Sequence, residues 1–159
     1  MFHVKQYIVR REARHMNLTI REARPEDYIS IYELIKNELG YQQLDYDKLL
    51  ARLEIMEQDD KHLTVVAITG GSVAGFVGFL RGIAYNIDGE WITIIAFAVL
   101  EELQNKGIGS QLLKWVEDYA LDRNIRVFEV SSNMRRLDAH AFYEKNGYTR
   151  TSYSFKKTL

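Results

Sequence analysis

The sequence predicts a single domain of the α/β or α+β class, in which a central sheet carries helices on both faces. The chain has 159 residues, a length that suits one domain, and apolar residues make up 47% of it, which is enough for one core. Segments with strand periodicity alternate with segments of helical periodicity in the order strand, two helices, three strands, helix, strand, helix, strand. No internal repeat or interdomain linker interrupts this order.

The individual elements follow from periodicity and from capping residues. Strands are expected where apolar residues alternate or run together, namely at Leu18–Ala23, Leu63–Ile68, Val73–Leu80, Trp91–Val99, Val127–Val130 and Tyr148–Phe155. Helices are expected where apolar residues recur every three or four positions, namely from Pro25 to Gly40, from Asp45 through Met56, over 107–123 and over Leu137–Lys145. The segment Trp91–Val99 is nearly all apolar, which predicts a central strand buried on both faces.

Composition excludes several classes of function. The net charge is −1, so no global basic field points to nucleic acid as a partner. The chain has no cysteine, which excludes disulfides, thiolate metal sites and a cysteine nucleophile. No apolar run approaches the roughly 20 residues that span a bilayer, so no membrane partner and a cytoplasmic location are expected. Residues 1–16 fit the fold poorly and are predicted to be an N-terminal extension of a domain over 17–159.

The turn between the most apolar strand and the most regular helix is the most informative stretch. Residues 99–110 read Val-Leu-Glu-Glu-Leu-Gln-Asn-Lys-Gly-Ile-Gly-Ser, with Gly107 and Gly109 where the helix begins. The free N–H groups and the dipole of a helix start favour a phosphate or pyrophosphate, to which Lys106 and Ser110 can add a charge and a hydroxyl. Neither the Walker A string nor the full dinucleotide fingerprint is present. The alternative is that both glycines only let the helix pack tightly on the sheet.

Two stretches of this sequence, in this order, resemble one known family. Gln104-Asn-Lys-Gly107-Ile-Gly109 fits a signature of Arg or Gln, two residues, Gly, one residue, and Gly or Ala. Residues 131–148 fit a pattern of Asn, a spacer, Ala-x-x-Phe-Tyr and a later Gly followed by Phe or Tyr. Both resemble the GNAT superfamily of N-acetyltransferases, as does the opening over 20–27. The resemblance implies a mixed, mostly antiparallel sheet with one splayed parallel strand pair.

The resemblance also implies acetyl-CoA as co-substrate and assigns site residues by position. The pantetheine arm would lie along the end of the apolar strand and beside an asparagine, and the amides of 105–110 would hold the pyrophosphate. The residues so assigned to cofactor binding are Phe97, Ala98, Val99, Gln104, Asn105, Lys106, Gly107, Ile108, Gly109, Ser110 and Asn133. Tyr143 matches the tyrosine that protonates the departing thiolate, and the ordinary pKa of a phenol suits that proton transfer. Asn105 departs from the family, in which a small residue is common at this position.

The sequence does not fix the general base that must deprotonate an amine acceptor. Several family members carry a glutamate at the position that is Thr93 in this chain. Glu90 and Glu129 are the nearby carboxylates that could act through water, although each is also typical of a solvated surface charge. His140 lies one helical turn before Tyr143, and a packing or capping role is favoured for it.

The acceptor is expected to be a small-molecule or peptide amine, with no metal and no nucleic acid involved. Aromatic side chains in the segments that usually wall the acceptor site suggest a pocket, although tyrosines at helical spacing are more often core residues: Tyr28, Tyr32, Tyr41, Tyr46 and Trp91. The connection 37–45 is expected to be an acceptor-side loop. A homodimer is compatible with exposed sheet edges. The alternatives to this enzyme are a non-catalytic acyl-CoA sensor and a protein or peptide N-acetyltransferase.

Overall fold

A computed structural model of the chain describes residues 16–159 and the backbone of Tyr7–Ile8. Its six-stranded sheet has strands in sequence order: β1 (Tyr7–Ile8), β2 (Leu18–Glu22), β3 (His62–Thr69), β4 (Ser72–Ile83), β5 (Glu90–Val99) and β6 (Phe128–Val130). The described residues also form four α-helices: α1 (Tyr28–Asn37) and α2 (Tyr46–Gln58) between β2 and β3, α3 (Ile108–Leu121) between β5 and β6, and α4 (Leu137–Lys145) after β6. The first four strand pairs are antiparallel, and β5 and β6 run parallel. The mixed, mostly antiparallel sheet is therefore confirmed.

Each face of the sheet has its own core. Alternate residues of β3 point to opposite faces, so that Val65 packs beneath α3 while Val66 packs beneath α1 and α2. On the α3 face, Leu112 and Val116 belong to the apolar stripe of the helix and are 0% and 1% exposed. On the other face Ile31 is fully buried. Helices thus cover both faces, as the sequence predicts.

Strands β5 and β6 pair only briefly and then separate. The register joins Ile92 to Phe128, Thr93 to Glu129 and Ile94 to Val130, and no pair follows among the described residues. At the same point β5 carries a β-bulge, because Phe79 of β4 lies opposite Ile94 and Gly78 lies opposite Ala96, which leaves Ile95 unpaired. The two strands therefore diverge from Ile95 onward.

The bulge reverses which residues of β5 face each core. Before it, Ile92 and Ile94 pack beneath α3, whereas after it Ala96 and Ala98 pack on the α1 and α2 face. The prediction that the whole strand is buried on both faces is wrong at Ile95, which is 45% exposed. The strand has lost its neighbour on one side there, and the apolar side chain lines an open cleft instead of the core.

Most of the predicted elements are present, with boundaries that differ by up to about three residues. Asp45 caps α2, since its carboxylate accepts a hydrogen bond of 2.9 Å from the amide of Lys48. Asn124, at φ 58°, ends α3 in the left-handed conformation. Pro25 opens a single 3-10 turn rather than the α-helix itself, which begins at Tyr28.

The predicted last strand, Tyr148–Phe155, is not formed. The amide of Tyr148 is tied to the carbonyl of Tyr143 at the end of α4, and residues 149–159 have no regular structure. Alternating aromatic residues fit a pleated, half-buried surface, but they make a strand only where a neighbouring edge pairs with them. Here Tyr153 and Phe155 are 83% and 94% exposed, so the pattern lacks the partner that it needs.

A part-buried ion pair fixes the start of α1 against β2. Arg21 contacts Asp27 at 2.6 Å and 3.1 Å, and the amide of Arg24 donates to the same carboxylate at 2.8 Å. Burial alone would raise the pKa of Asp27, but the hydrogen bonds from Arg21 and Arg24 outweigh it and hold the pKa below its usual value. The carboxylate is therefore charged at neutral pH.

A glycine sets how closely the start of α3 approaches β5 and α4. A Cβ built on Gly109 would lie 3.0 Å from the ring of Phe142 and 3.2 Å from the ring of Phe97. Those two rings are stacked with centroids 5.3 Å apart. The packing explanation for this glycine is thus correct, because any larger residue would push the two rings away.

Several expectations concern residues or properties that the structure does not describe. Most of residues 1–16 lies outside the described residues, so their assignment as an extension of a domain over 17–159 stays a prediction. None of the helices in the described range has the length and apolarity that crossing a bilayer requires. The homodimer and the cytoplasmic location also stay predictions.

Replacing Asp27 by Asn should lower the free energy of unfolding by about 3 kcal/mol at pH 7, because Arg21 keeps its part-buried charge without an anionic partner. The folded-state pKa of Asp27 is lowered, so this difference is fully present above about pH 4 and vanishes as the pH falls through the folded-state pKa. Urea unfolding from pH 7 to pH 2.5 measures it. Glu26→Gln is the control, because it removes only the exposed ion pair between Glu26 and Arg24 at 3.7 Å. If Asp27→Asn lowers the free energy of unfolding equally at every pH, the ion-pair explanation is contradicted.

Replacing Gly109 by Ala should lower the free energy of unfolding by about 1–3 kcal/mol, because the new methyl group overlaps the rings of Phe97 and Phe142. Gly78→Ala is the matched control, since its Cβ meets nothing closer than 3.7 Å. Chemical unfolding compares the two variants at one pH. If the variant at position 109 is as stable as the one at position 78, the ring contacts do not limit this packing.

Candidate active site

Two cavities open where β5 and β6 separate. The turn-side cavity, about 200 Å³, lies between residues 103–109 and the start of α4. The loop-side cavity, about 490 Å³, lies between the end of α1 at 39–41 and the loop that follows β6 at 130–136. Both are lined by Leu39, Phe97, Arg136 and Tyr143, so these four side chains form the wall between the cavities. The two cavities are therefore neighbours that share one wall.

The turn before α3 presents a row of free amides. Within the described part of the chain, the first amide of this helix to find a backbone acceptor is that of Gln111, which donates to Gly107 at 3.1 Å. The amides of 105–110 are therefore available to a ligand, and successive amides in such a turn form an anion-binding concavity. Asn105 and Gly107 both have positive φ, at 59° and 85°.

These positive φ values explain the departure of Asn105 from the family pattern. Asparagine adopts the left-handed conformation more readily than other residues with a Cβ, so it can stand where a small residue is common. A Cβ added to Gly107 would have nothing within 4 Å of it, so the requirement for glycine there is conformational and not one of space. The two glycines thus have different roles, with Gly107 shaping the turn and Gly109 permitting close packing.

Gln104 anchors the turn to the end of β5. Its side-chain amide donates to the carbonyl of Val99 at 3.0 Å. The contact spans the short 3-10 turn Glu101–Leu103. This polar side chain therefore positions the turn, while the backbone amides beyond it remain free.

Tyr143 lies at the junction of the two cavities and is held by aromatic neighbours. Ring centroids lie 6.2 Å away at Phe97, 5.4 Å away at Phe142 and 5.6 Å away at Tyr148. Burial raises the pKa of Tyr143, and the charge of Arg136 only partly opposes that rise. The hydroxyl has no hydrogen-bond partner among residues 16–159. Because its pKa is raised, it is protonated at neutral pH and is a free donor on a side chain that lines both cavities.

Asn133 organises the loop after β6. Its side-chain carbonyl accepts from the amide of Arg135 at 2.9 Å, and its backbone carbonyl accepts from the amide of Arg136 at 3.0 Å. His140 also contacts that backbone carbonyl, through Nε2 at 2.9 Å. Because a carbonyl can only accept, this nitrogen carries the proton. His140 therefore braces the loop before α4 and does not cap the helix.

The structure brings most of the predicted cofactor residues together. The turn-side cavity is lined by six of them besides Phe97, and these are Ala98, Val99, Gln104, Asn105, Ile108 and Gly109. Asn133 lines the loop-side cavity. Lys106, Gly107 and Ser110 line neither cavity, although they belong to the same turn.

The two candidate bases lie apart from the cavities. Glu90 begins β5, and its carboxylate forms an ion pair with Arg81 at 3.1 Å. Glu129 lies in register with Thr93, one pair before the two strands separate. Neither lines either cavity. Across the described residues, no three His, Asp or Glu side chains group closely enough to hold a metal ion.

Of the five aromatic residues suggested as a pocket wall, only Tyr41 lines one of the two cavities. Tyr28 is buried in the core, where burial raises its pKa to about 12 and its hydroxyl donates to Glu57 at 3.0 Å. Tyr32 packs against the core, as the core interpretation predicts, and the ring of Tyr46 packs edge to face on it from outside the core. The connection 37–45 does reach the site, because residues 39–41 line the loop-side cavity.

The sequence patterns assign no role to several residues that the fold places in the cavities. Chief among them are Arg135, Arg136, Phe142 and the two serines that follow β6, Ser131 and Ser132. The adjacent arginines are visible in the sequence as a basic pair shortly after Asn133. The contribution of Phe142 is not visible there, because it depends on contacts with residues distant in sequence.

Comparisons with known proteins identify the family of the chain. The Acetyltransferase (GNAT) family matches residues 26–148. An aminoalkylphosphonate N-acetyltransferase of Salmonella typhimurium (strain LT2) is 34% identical over 145 residues, which cover 88% of this chain and 90% of that protein. An enzyme of this kind transfers an acyl group.

Solved structures share the fold. A protein of Bacillus halodurans C-125 described as a transcriptional regulator superposes with a TM-score of 0.83 at 23% identity, covering 89% of this chain and 99% of that one. The aminoglycoside N-acetyltransferase AAC(6')-Iy in complex with CoA superposes with a TM-score of 0.80 at 17% identity, covering 92% of this chain and 97% of that one. With its sheet, its cleft and its signature turn, the chain belongs to the GNAT acetyltransferase family and is an acyltransferase.

Proposed function

We propose that the protein transfers the acetyl group of acetyl-CoA to a primary amine, with both substrates bound at once. The observation that carries this proposal is the pair of cavities that share Phe97 and Tyr143. One cavity adjoins a row of free amides suited to a pyrophosphate, and the other is open to an acceptor. Neighbouring cavities for the two substrates support direct transfer, because neither substrate has to leave before the other arrives.

The residues present fit coenzyme A. The free amides of 105–110 would hold the pyrophosphate, with Lys106 and Ser110 adding a charge and a hydroxyl. The pantetheine arm would run along residues 97–99, where β5 has no partner on the side that β6 has left, and beside Asn133. Backbone donors hold most of this ligand, so the exchange of a small residue for Asn105 leaves the cofactor site intact.

Acetyl-CoA supplies the acetyl group as a thioester. The lone pair of a neutral amine attacks its carbonyl carbon, so that an N–C bond forms and the C–S bond breaks. Tyr143 donates its phenolic proton to the departing sulfur. The nitrogen releases one proton as the amide forms, and that proton restores the phenol through solvent. The raised pKa of Tyr143 keeps that proton in place at neutral pH, and its ring contacts hold the hydroxyl at the junction of the cavities.

The proton of the ammonium form of the acceptor must leave before attack. Glu129 and Glu90 are the proposed bases, and each would act through water because neither lines a cavity. Glu90 is already paired with Arg81, whereas Glu129 forms no ion pair with the described residues. Glu129 is therefore the better placed of the two.

The acceptor is proposed to be a small amine. The Salmonella relative is named for aminoalkylphosphonates, and this chain covers 90% of its length, so an aminoalkylphosphonate is the first acceptor to test. A protein or peptide acceptor would need a groove that continues beyond the loop-side cavity. A non-catalytic sensor would bind acyl-CoA but would not require the hydroxyl of Tyr143.

Coenzyme A and acetyl-CoA should each raise the melting temperature. A ligand at 100 times its Kd stabilises the folded state by about 2.7 kcal/mol, which corresponds to a rise of about 5–10 °C for a chain of this size. Differential scanning fluorimetry with the full chain measures the shift, and adenosine serves as a control that lacks the pyrophosphate. An unchanged melting temperature with both thioester and free thiol at saturation would end the proposal.

Replacing Tyr143 by Phe should reduce kcat by about 10²- to 10⁴-fold, because the variant keeps the ring packing but lacks the acid. The Kd for coenzyme A should change by less than about 3-fold, since the hydroxyl is not among the groups proposed to hold it. Thiol release measures turnover, and calorimetry measures binding. Tyr119→Phe is the control, since Tyr119 stacks on Trp115 of α3 and lines neither cavity. Full turnover in the variant at position 143 would exclude Tyr143 as the acid.

A further inference from the structure

We infer that the loop-side cavity binds an amine whose other end carries a phosphonate or phosphate group, and that Arg135 is the residue that determines this specificity. The inference rests on the proposed function, because it names the class of acceptor for the same site. It comes from the charge of the cavity, from its unpaired donors and from the different positions of its two arginines.

The loop-side cavity is lined by two arginines and, among the described residues, by no carboxylate. Arg135 and Arg136 are the charged side chains of this lining. Neither guanidinium belongs to any of the ion pairs found among residues 16–159. A planar guanidinium matches the oxygens of a phosphonate or phosphate with two parallel hydrogen bonds, and such charge-assisted bonds are the strong ones. The cavity therefore suits an oxyanion.

Hydroxyl and amide donors lie beside the arginines. The hydroxyl of Ser132 is buried and has no hydrogen-bond partner among the described residues. A buried hydroxyl without a partner is costly, so a loop movement that turned it towards an oxyanion in the cavity would be favourable. Asn133 uses its side-chain carbonyl to hold the amide of Arg135, which fixes the backbone of that arginine at the cavity wall. The loop thus presents several donors from one short segment.

The two arginines are not equivalent. Arg136 lines both cavities and lies close enough to Tyr143 for its charge to act on the phenol, so it belongs to the shared wall. Arg135 lines only the loop-side cavity. A change at Arg135 should consequently alter recognition of the acceptor, whereas the turn-side cavity has no lining contact with this residue.

The same charges argue against a polycationic acceptor. A polyamine or an aminoglycoside would bring several ammonium groups towards two unpaired guanidinium groups, with no carboxylate in the described lining to offset the repulsion. An aminoalkylphosphonate carries its anion at one end and its amine at the other. Its anion can bind the arginines while its amine points towards Phe97 and Tyr143. The lining therefore selects by charge between acceptor classes that share the reactive group.

The test uses the full chain with acetyl-CoA and four acceptors, which are 2-aminoethylphosphonate, β-alanine, propylamine and spermidine. Thiol release gives kcat and KM for the wild type and for Arg135→Gln, Arg135→Lys and Arg126→Gln. Arg126 is the matched control, because it is an exposed arginine whose guanidinium contacts Asn124 and lines neither cavity. Fluorimetry with coenzyme A present measures the shift in melting temperature that 2-aminoethylphosphonate causes.

The expected result is that 2-aminoethylphosphonate is the preferred acceptor. Arg135→Gln should lower its kcat/KM by about 10- to 100-fold, mainly through KM, and change that of propylamine by less than about 2-fold. Arg135→Lys should recover part of the loss, and Arg126→Gln should behave as the wild type. The phosphonate should raise the melting temperature of the wild type and not that of Arg135→Gln.

Several results would overturn the inference. Equal or better use of propylamine, β-alanine or spermidine would do so, as would an equal loss for all acceptors in Arg135→Gln. If propylamine is acetylated but the phosphonate shifts no melting temperature, the proposed anion site is refuted and the proposed acetyl transfer is supported. If no amine is acetylated but the melting-temperature shift caused by the phosphonate depends on Arg135, the proposed acetyl transfer is refuted and the proposed anion site is supported.

Discussion

The separation of β5 from β6 after Ile94 is the constraint on which the rest of this molecule depends. Two parallel strands that stay paired bury their backbone groups against each other and leave no room between them. Here they pair through three positions and then diverge, so the sheet itself opens into a cleft. The two cavities are the two mouths of that cleft, and Phe97 and Tyr143 lie where they meet. A ligand between the strands would satisfy the backbone groups that the divergence leaves free.

The packing that holds the cleft open uses the same residues as the proposed chemistry. Gly109 lets the stacked rings of Phe97 and Phe142 approach the start of α3, and the ring of Tyr143 packs against both. The position of the phenol hydroxyl is therefore set by core contacts and not by a hydrogen bond. Stability and function cannot be separated at this point, since any change to the aromatic cluster moves the hydroxyl.

Periodicity and short motifs predict a large part of this structure, because they report local preferences. The helices, the hairpin closed by Gly70 and Gly71, and the turn before α3 all depend on residues close in sequence. The failures share a different cause. Tyr148–Phe155 has the composition of a strand but no neighbouring edge, and Ile95 lies at a bulge that only the register with β4 reveals. Whether alternation becomes a strand depends on partners that a single sequence does not show.

The candidate site is also predicted only in part. The signature turn depends on residues close in sequence, so the sequence predicts it. The place of Arg135 in the loop-side cavity depends on the fold, so the sequence does not predict it.

The extra residue at Ile95 bends β5 without changing which of its other residues face each of the two cores. A β-bulge bends and twists its strand, but the pairs on either side of it, Phe79 with Ile94 and Gly78 with Ala96, are those of an uninterrupted ladder with one residue set aside. A chain that lacked Ile95 could therefore keep every other residue of β5 opposite its present partner and on its present face. It would lose the local bend where the cleft begins. The bend at the cleft and the order of the two hydrophobic layers are therefore governed by different residues of the same strand.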